Sequence, residues 1–211
     1  DGGNSFYKDS IARYKRLKSR KISFIDCGTS GGLQCKTKGF CLMVGGDAAA
    51  IKKVKSVFAA IAAPGGFVHV GPAGAGHYIK MVHNGIEYAL LQAYAEGFHV
   101  LKQGAYKDLD LAAIANLWNH GSIIRSWILE LTKQVLLRDQ DFKNISGSIG
   151  ENLTGQWAAQ AAKEHKIPVP TMEAALTIRA WSRKTGGNYA TKLIALLRHE
   201  FGGHPIKVLK D

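Results

Sequence analysis

A glycine-rich turn, GPAGAGH at residues 71–77, divides this chain into two parts with different sequence patterns. Before the turn, short apolar runs alternate with segments of helical spacing, which is typical of an α/β sheet with crossover connections. After it, apolar residues recur at helical intervals almost to the end of the chain. The pattern predicts part of an α/β domain in residues 1–73, followed by an all-helical domain in residues 74–211.

Individual elements can be placed on this division. The predicted strands are ISFIDCG (22–28), FCLMVGG (40–46) and FVHV (67–70), and SIARYKRLKSRK (10–21) has helical spacing. A further helix, 48–62, places four apolar residues on one face: Ile51, Val54, Phe58 and Ile61. Beyond the turn, a long helix is predicted from about Tyr78 to Lys102, with shorter ones near 110–118, 123–137, 152–165, 171–184 and 189–199.

Composition and charge exclude several classes of protein. Hydrophobic residues make up 46% and charged residues 21%, and no apolar run is long enough to span a membrane. The net charge of +12 allows a nucleic-acid or membrane partner, but it also suits an enzyme for phosphorylated substrates. Nucleic-acid binding is not expected, because no aromatic residues are interleaved with the basic ones and no RNA-binding motif occurs. Cys27, Cys35 and Cys41 lack metal-site spacing and indicate reduced thiols in a cytoplasmic protein.

The long helix carries an unusual polar stripe. Its members are three, four and seven residues apart and so share one helix face: Lys80, His83, Asn84 and Glu87. Ile79, Val82, Ile86 and Leu90 are expected to pack on the opposite side. The stripe is either a solvated face or the lining of a cleft. In a cleft, a lysine can accept a proton near neutral pH, and a buried glutamate can return one.

A second glycine-rich segment, GTSGG at residues 28–32, follows the first predicted strand. Ligands of open α/β sheets bind beyond the carboxyl ends of the strands. The two glycines after Ser30 can expose backbone N–H groups to an anion. The segment is therefore a second candidate for the ligand site, although glycine-rich loops are more often simple turns.

Motifs along nearly the whole chain resemble those of one enzyme family. DGGNSFYKDS, DCGTSGG, CLMVGGD, GPAGAGHYIKMVHNGIEY, AYAEGF, GSIIRSW and RHEFGGH occur in this order. Together they resemble the decarboxylating 6-phosphogluconate dehydrogenases in their shorter form. Related 3-hydroxyisobutyrate dehydrogenases share the SGG and the lysine but continue with a K-x-x-N-N pattern. This chain instead has KMVHNG at residues 80–85.

The resemblance implies a reaction and a role for each matching residue. The family oxidises 6-phosphogluconate with NADP or NAD and decarboxylates the product to ribulose 5-phosphate, in the pentose phosphate pathway. Lys80 is the implied general base and then acid, and Glu87 the implied proton donor to carbon. Implied substrate-binding residues are Asn4, Ser30, Gly31, Gly32, His83, Asn84, Tyr88, Arg179, Arg198 and His204, the last two from a partner subunit. Asn4 and Asn84 are also implied to lie near the nicotinamide.

The sequence departs from the family pattern in two places. No G-x-G-x-x-G turn occurs, so the chain resembles the family without the first half of its Rossmann-like nucleotide-binding domain, and we expect it to be inactive alone. Gln156 stands where relatives usually have a cationic residue before the tryptophan, which would weaken phosphate binding. An alternative is a non-catalytic helical dimerisation module, since family members pair through the helical domain.

Overall fold

The structure is a computed structural model that describes residues 1–209. The last two residues of the predicted helical domain lie outside this range. The described chain forms two compact units. One consists of Asp1–Ile86 with Leu153–Pro168, and the other of Glu87–Asn152 with the chain from Val169 onward. The domain boundary predicted between residues 73 and 74 stays a prediction.

The predicted fold class is confirmed: a small sheet with helices precedes a helical region. In chain order the elements are α1 (Tyr7–Lys18), β1 (Ile25–Ser30), α2 (Cys35–Lys38), β2 (Phe40–Gly46), α3 (Ala48–Ile61), β3 (Ala62–Gly71), α4 (Ala75–Gln103), α5 (Leu111–Asn119), α6 (Trp127–Arg138), α7 (Leu153–Glu164), α8 (Pro170–Thr185) and α9 (Tyr189–Gly202).

The sheet has the strand order β1-β2-β3, and its two pairings run in different directions. β2 and β3 are parallel and are joined by α3, which is the predicted crossover connection. β1 and β2 are antiparallel, with Ile25 opposite Gly46 and Ser30 opposite Cys41. This pair has no crossover, because residues 31–39 are fewer than the roughly dozen that a parallel connection needs.

This topology changes the argument for the GTSGG segment. Since β1 is antiparallel to its neighbour, its carboxyl end lies at the opposite edge of the sheet from the carboxyl ends of β2 and β3. The rule for parallel sheets therefore does not place a ligand beside Ser30. The strand also continues to Ser30 instead of ending at Gly28 as predicted. A side chain at position 28 would collide with the Gly76 carbonyl and Lys80 Cβ, so this glycine lets α4 pack directly on the strand.

Each unit has its own apolar core. In the sheet unit, Cys27, Leu42, Val44 and Ile51 pack between the strands and α3. Ile61, predicted to share the buried face of α3, is 45% exposed, because α3 gives way to β3 there. In the helical unit, the core includes Leu91, Phe98, Leu111, Leu129, Phe142 and Leu193, on α4, α5, α6, α9 and the loop after α6.

Helix α4 buries a different side from the one predicted. Its buried residues include Met81, Asn84 and Tyr88, whereas Ile86 and Leu90 are 50% and 44% exposed. Ile79 is also largely exposed, and of the predicted packing residues Val82 alone packs in a cluster, around Met81. The helix therefore buries part of its polar side, which is the unusual feature that the candidate site explains.

Candidate active site

Strand β1 and helix α4 meet at three successive points in the sheet unit. The His77 amide donates to Asp26 Oδ2 at 3.0 Å, and Gly28 faces Gly76 and Lys80. Farther along, Ser30 Oγ lies 3.3 Å from His83 Nε2. Alternate residues of β1 lie on one face of the strand, and residues three apart on α4 lie on one face of the helix. The three contacts therefore form one continuous seam. Lys80 lies in the middle of this seam.

The loop after Ser30 has the backbone shape that its glycines allow. Gly31 and Gly32 have φ values of 134° and 59°, in the left-handed region that side chains rarely adopt. The Cys35 thiol donates to the Gly32 carbonyl at 2.7 Å and ties the loop to the start of α2. An open glycine loop next to a serine hydroxyl can present N–H groups to a carboxylate.

Hydrogen bonds connect Ser30, His83 and Asn84 into a chain. His83 Nδ1 lies 3.1 Å from Asn84 Oδ1, which can only accept, so Nδ1 carries the proton. Nε2 then accepts from the Ser30 hydroxyl. Asn84 is 8% exposed. These hydrogen bonds fix the side chains of His83 and Asn84 one turn along α4 from Lys80. Asn4 lies elsewhere in this unit, where its amide donates to Thr154 Oγ1 at 2.9 Å.

In the helical unit, a buried arginine lies on the face of a tyrosine. The Arg179 guanidinium carbon is 3.5 Å from the centre of the Tyr88 ring, and the two residues are 4% exposed. The Tyr88 hydroxyl donates to the Asn152 carbonyl at 3.3 Å. Nη1 and Nη2 of Arg179 are buried and have no hydrogen-bond acceptor within residues 1–209. Burial lowers the pKa of Arg179 to about 10, against the stabilising effect of Tyr88.

Two further basic side chains lie near this pair. Arg198 is 6% exposed, and burial lowers its pKa although Tyr88 and Glu87 favour its charged form. Burial, with Arg198 and Arg179 as neighbours of like charge, lowers the pKa of His204. We call Tyr88, Arg179, Arg198 and His204 the basic cluster. Such a concentration of buried positive charge with unused donors is suited to binding an anion.

Arg198 and His204 lie beside Arg179 within one chain, because α9 packs against α6 and α8. The expectation that these two residues serve the substrate of a partner subunit stays a prediction, since the structure describes a single chain. Glu87, half-buried on α4, supplies negative charge that favours the charged forms of both arginines.

Sequence reasoning missed Asp26 and His77, which are 0% and 2% exposed. The available signal was a carboxylate inside an otherwise apolar strand, since a buried charge requires a specific partner. Gln156, the departure from the family pattern, is exposed on α7 in the sheet unit.

Two family models together match nearly all of the chain. Residues 1–77 match the NAD binding domain of 6-phosphogluconate dehydrogenase, and residues 76–205 match the C-terminal domain of 6-phosphogluconate dehydrogenase. The chain belongs to the 6-phosphogluconate dehydrogenase family. Family membership accounts for the joining of a sheet fragment to a helical domain.

Individual members of the 6-phosphogluconate dehydrogenase family are similar over most of this chain. A decarboxylating, NAD(+)-dependent 6-phosphogluconate dehydrogenase of Haloferax volcanii is 42% identical over 98% of this chain and 68% of its own length. A decarboxylating enzyme of Saccharomyces cerevisiae is 38% identical over 86% of this chain and 39% of its own. The solved 6-phosphogluconate dehydrogenase of Plasmodium falciparum superimposes with a TM-score of 0.79 at 34% identity. The match covers 87% of this chain and 42% of that one.

The glycine-rich turn before α4 does not fit the pyrophosphate of a dinucleotide. The glycine-rich turn before α4 could cradle phosphate in principle, since helix N-termini attract anions. Its Gly74 and His77 amides instead donate to the Asp26 carboxylate at 2.6 and 3.0 Å, so the anion position is already taken. Within residues 1–209, no helix has the length and apolarity to cross a membrane, and no cluster of side chains could hold a metal ion.

Proposed function

We propose that this chain contributes the substrate side of an oxidative decarboxylation, in which 6-phosphogluconate becomes ribulose 5-phosphate and carbon dioxide. The observation that carries the proposal is the basic cluster. A buried guanidinium without an acceptor is costly, and a bound phosphate would supply the missing charge and hydrogen bonds. Arg179 has two such donors, on Nη1 and Nη2, and Arg198 adds positive charge beside it. His204 lies next to both arginines and can donate a further hydrogen bond.

In the sheet unit, the seam between β1 and α4 would bind a carboxylate and sugar hydroxyls. Ser30, Gly31 and Gly32 would bind the carboxylate through the serine hydroxyl and the loop amides. His83 and Asn84, already oriented by their mutual hydrogen bond, would bind the sugar hydroxyls. Asn4, exposed at the start of the chain, would join them at the substrate and near the nicotinamide, as would Asn84.

Lys80 and Glu87 would divide the proton transfers. Lys80 takes the proton of the C3 hydroxyl as that carbon is oxidised, and returns it to the carbonyl oxygen as the bond to the carboxylate breaks. Glu87, once protonated, would give its proton to the carbon that has lost carbon dioxide, while Lys80 takes back the proton of the enediol oxygen, which leaves the ketone. The two residues lie seven positions apart on one continuous helix, about two turns, so they can address different carbons of one substrate. The nicotinamide, NADP or NAD, accepts the hydride when bound.

Pairing of two chains through the helical domain is part of the proposal. In the helical unit, four large apolar side chains on α5, on α6 and in the turn between them are exposed. They are Leu117, Ile123, Ile124 and Trp127, of which Leu117 is 66% and Ile124 46% exposed. Exposed apolar patches mark association surfaces. We assign the activity to the cytoplasm, since Cys27, Cys35 and Cys41 are free thiols.

Ligand selectivity tests the proposal. We expect 6-phosphogluconate to bind roughly 100-fold more tightly than gluconate in calorimetric titrations, because charge-assisted hydrogen bonds contribute about 1.5–3 kcal/mol each. 3-Hydroxyisobutyrate, which also lacks the phosphate, is the second control ligand. Equal affinity for all three would contradict the proposal. A stable dimer that responds to none of them would favour the non-catalytic dimerisation module.

A further inference from the structure

A buried polar network lies where helix α4 begins, one turn before Lys80. Asp26 Oδ1 accepts the Gly74 amide at 2.6 Å, and Oδ2 accepts the His77 amide at 3.0 Å. His77 Nδ1 lies 2.7 Å from the hydroxyl of Ser10 on α1. Asp26 and Ser10 are fully buried, and His77 is 2% exposed. The network therefore joins β1, α1 and α4 at one point inside the sheet unit.

The carboxylate of Asp26 is held by the helix terminus itself. A buried carboxylate is unfavourable by several kcal/mol unless hydrogen bonds and positive charge replace its hydration. The first turn of a helix offers both, through its unsatisfied N–H groups and its partial positive charge. Burial lowers the pKa of His77 although Asp26 opposes the shift, so the imidazole is neutral and Asp26 depends on the amides. Moving α4 along β1 would break both bonds at once.

Lys80 lies between this network and a second fixed point. Asp26, Gly28 and Ser30 alternate along one face of β1, and they meet His77, Lys80 and His83 in the same order on α4. At Gly28 the backbone and the helix approach so closely that no side chain fits between them. A shift of α4 at its first turn is therefore transmitted to Lys80, and not absorbed by flexible side chains.

We propose that Asp26, supported by His77 and Ser10, is a positioning residue for Lys80. It fixes the position of α4 along β1 and thereby holds the Lys80 amino group next to the hydroxyl that is oxidised. The three residues act through the helix and do not touch the substrate. The assignment rests on the proposed function for the identity of that hydroxyl, but the positioning of Lys80 itself can be measured without turnover.

Asp26→Asn is the decisive variant. Asparagine has the shape of aspartate, but its amide nitrogen is a donor, so one of the two hydrogen bonds from the backbone N–H groups is lost. The assays use the native polypeptide, meaning the protein as it is isolated from its source. In it we expect kcat to fall about 10- to 100-fold, because misplacement of a catalytic group by roughly 1 Å has effects of this size. KM for 6-phosphogluconate should change less than about threefold, because the basic cluster is untouched. Val44→Ala is the control, since Val44 is fully buried in the same unit but packs with Ile51 on α3.

A second readout is independent of activity. Lysines are dimethylated with an isotopic label, and the Lys80 resonance is identified by its loss in Lys80→Arg. We expect this resonance to move in Asp26→Asn and to stay in place in Val44→Ala. If Asp26→Asn does not fold, Ser10→Ala is used in its place and should also move the Lys80 resonance. Ser10→Thr keeps the hydroxyl and should return the Lys80 resonance to its native position.

The outcomes separate this inference from the proposed function. A kcat of folded Asp26→Asn within threefold of that of Val44→Ala would overturn the positioning role, as would a loss that lies in KM alone. If the native polypeptide shows no turnover, the proposed function fails and the resonance decides the positioning role. An unmoved Lys80 resonance in Asp26→Asn then overturns it, and a selective shift supports it.

Discussion

Lys80→Met is expected to abolish turnover of 6-phosphogluconate while leaving the fold and substrate binding intact. Methionine has a similar length and keeps the contact with β1 near Gly28, but it cannot accept or return a proton. General acid–base catalysis contributes about 10²–10⁴-fold, and Lys80 is proposed to act in both chemical steps. We therefore expect kcat to fall by at least about 10³-fold, measured as formation of reduced nicotinamide in the native polypeptide.

The matched control for this variant is Lys53→Met. Lys53 is exposed on α3 and belongs to none of the polar clusters described above, so its loss should leave kcat unchanged. Titration with 6-phosphogluconate should show that the Lys80 variant still binds the substrate, since the carboxylate and phosphate contacts remain. Turnover of Lys80→Met at more than a tenth of the native rate would show that another group is the base.

Arg179→Met is expected to weaken phosphate binding and to leave the ligand-free protein equally or more stable. The variant removes donors proposed to bind the phosphate, and each charge-assisted hydrogen bond contributes about 1.5–3 kcal/mol, so KM should rise roughly 10- to 1,000-fold. It also removes a buried cation that has no acceptor within the described chain. Replacing a buried charge by an apolar residue of similar volume is often neutral or stabilising.

Arg183→Met is the control for this second variant. Arg183 is exposed on the same helix, one turn later, and pairs with Glu151 at 3.3 Å. Its loss should change neither KM nor the free energy of unfolding by much, because exposed ion pairs contribute about 0–1 kcal/mol. Chemical denaturation without ligand and steady-state kinetics measure the two effects. A marked fall in the stability of Arg179→Met would show that the guanidinium is structural, and an unchanged KM would exclude it from the phosphate site.

The polar face of α4 follows from the sequence, but the side of the helix that is buried does not. The spacing of Lys80, His83 and Glu87 predicted one polar helix face, and the single helix from Ala75 to Gln103 confirms it. The buried side was misjudged, because the usual rule assigns apolar residues to the interior. On α4 the exposed residues include Ile86 and Leu90, and the interior receives Asn84 and Tyr88.

Strand direction and long-range contacts were the other difficulties. Apolar runs identify strands but not their direction, so the antiparallel pairing of β1 with β2 was visible only as a connection too short for a crossover. The hydrogen bonds between Asp26 and the first turn of α4 join residues about fifty positions apart. Local residue spacing does not predict contacts between such distant positions. The placement of Arg198 and His204 beside Arg179 likewise depends on how α9 packs.

The central claim is that this chain carries the substrate side of an oxidative decarboxylation. The most direct test is to supply the native polypeptide with NADP or NAD and 6-phosphogluconate labelled at its carboxyl carbon. Reduced nicotinamide, labelled carbon dioxide and ribulose 5-phosphate are then measured in one reaction. We predict that the three form in equal amounts and that none forms in Lys80→Met. Reduced nicotinamide without labelled carbon dioxide, or no reaction with either cofactor, would contradict the account.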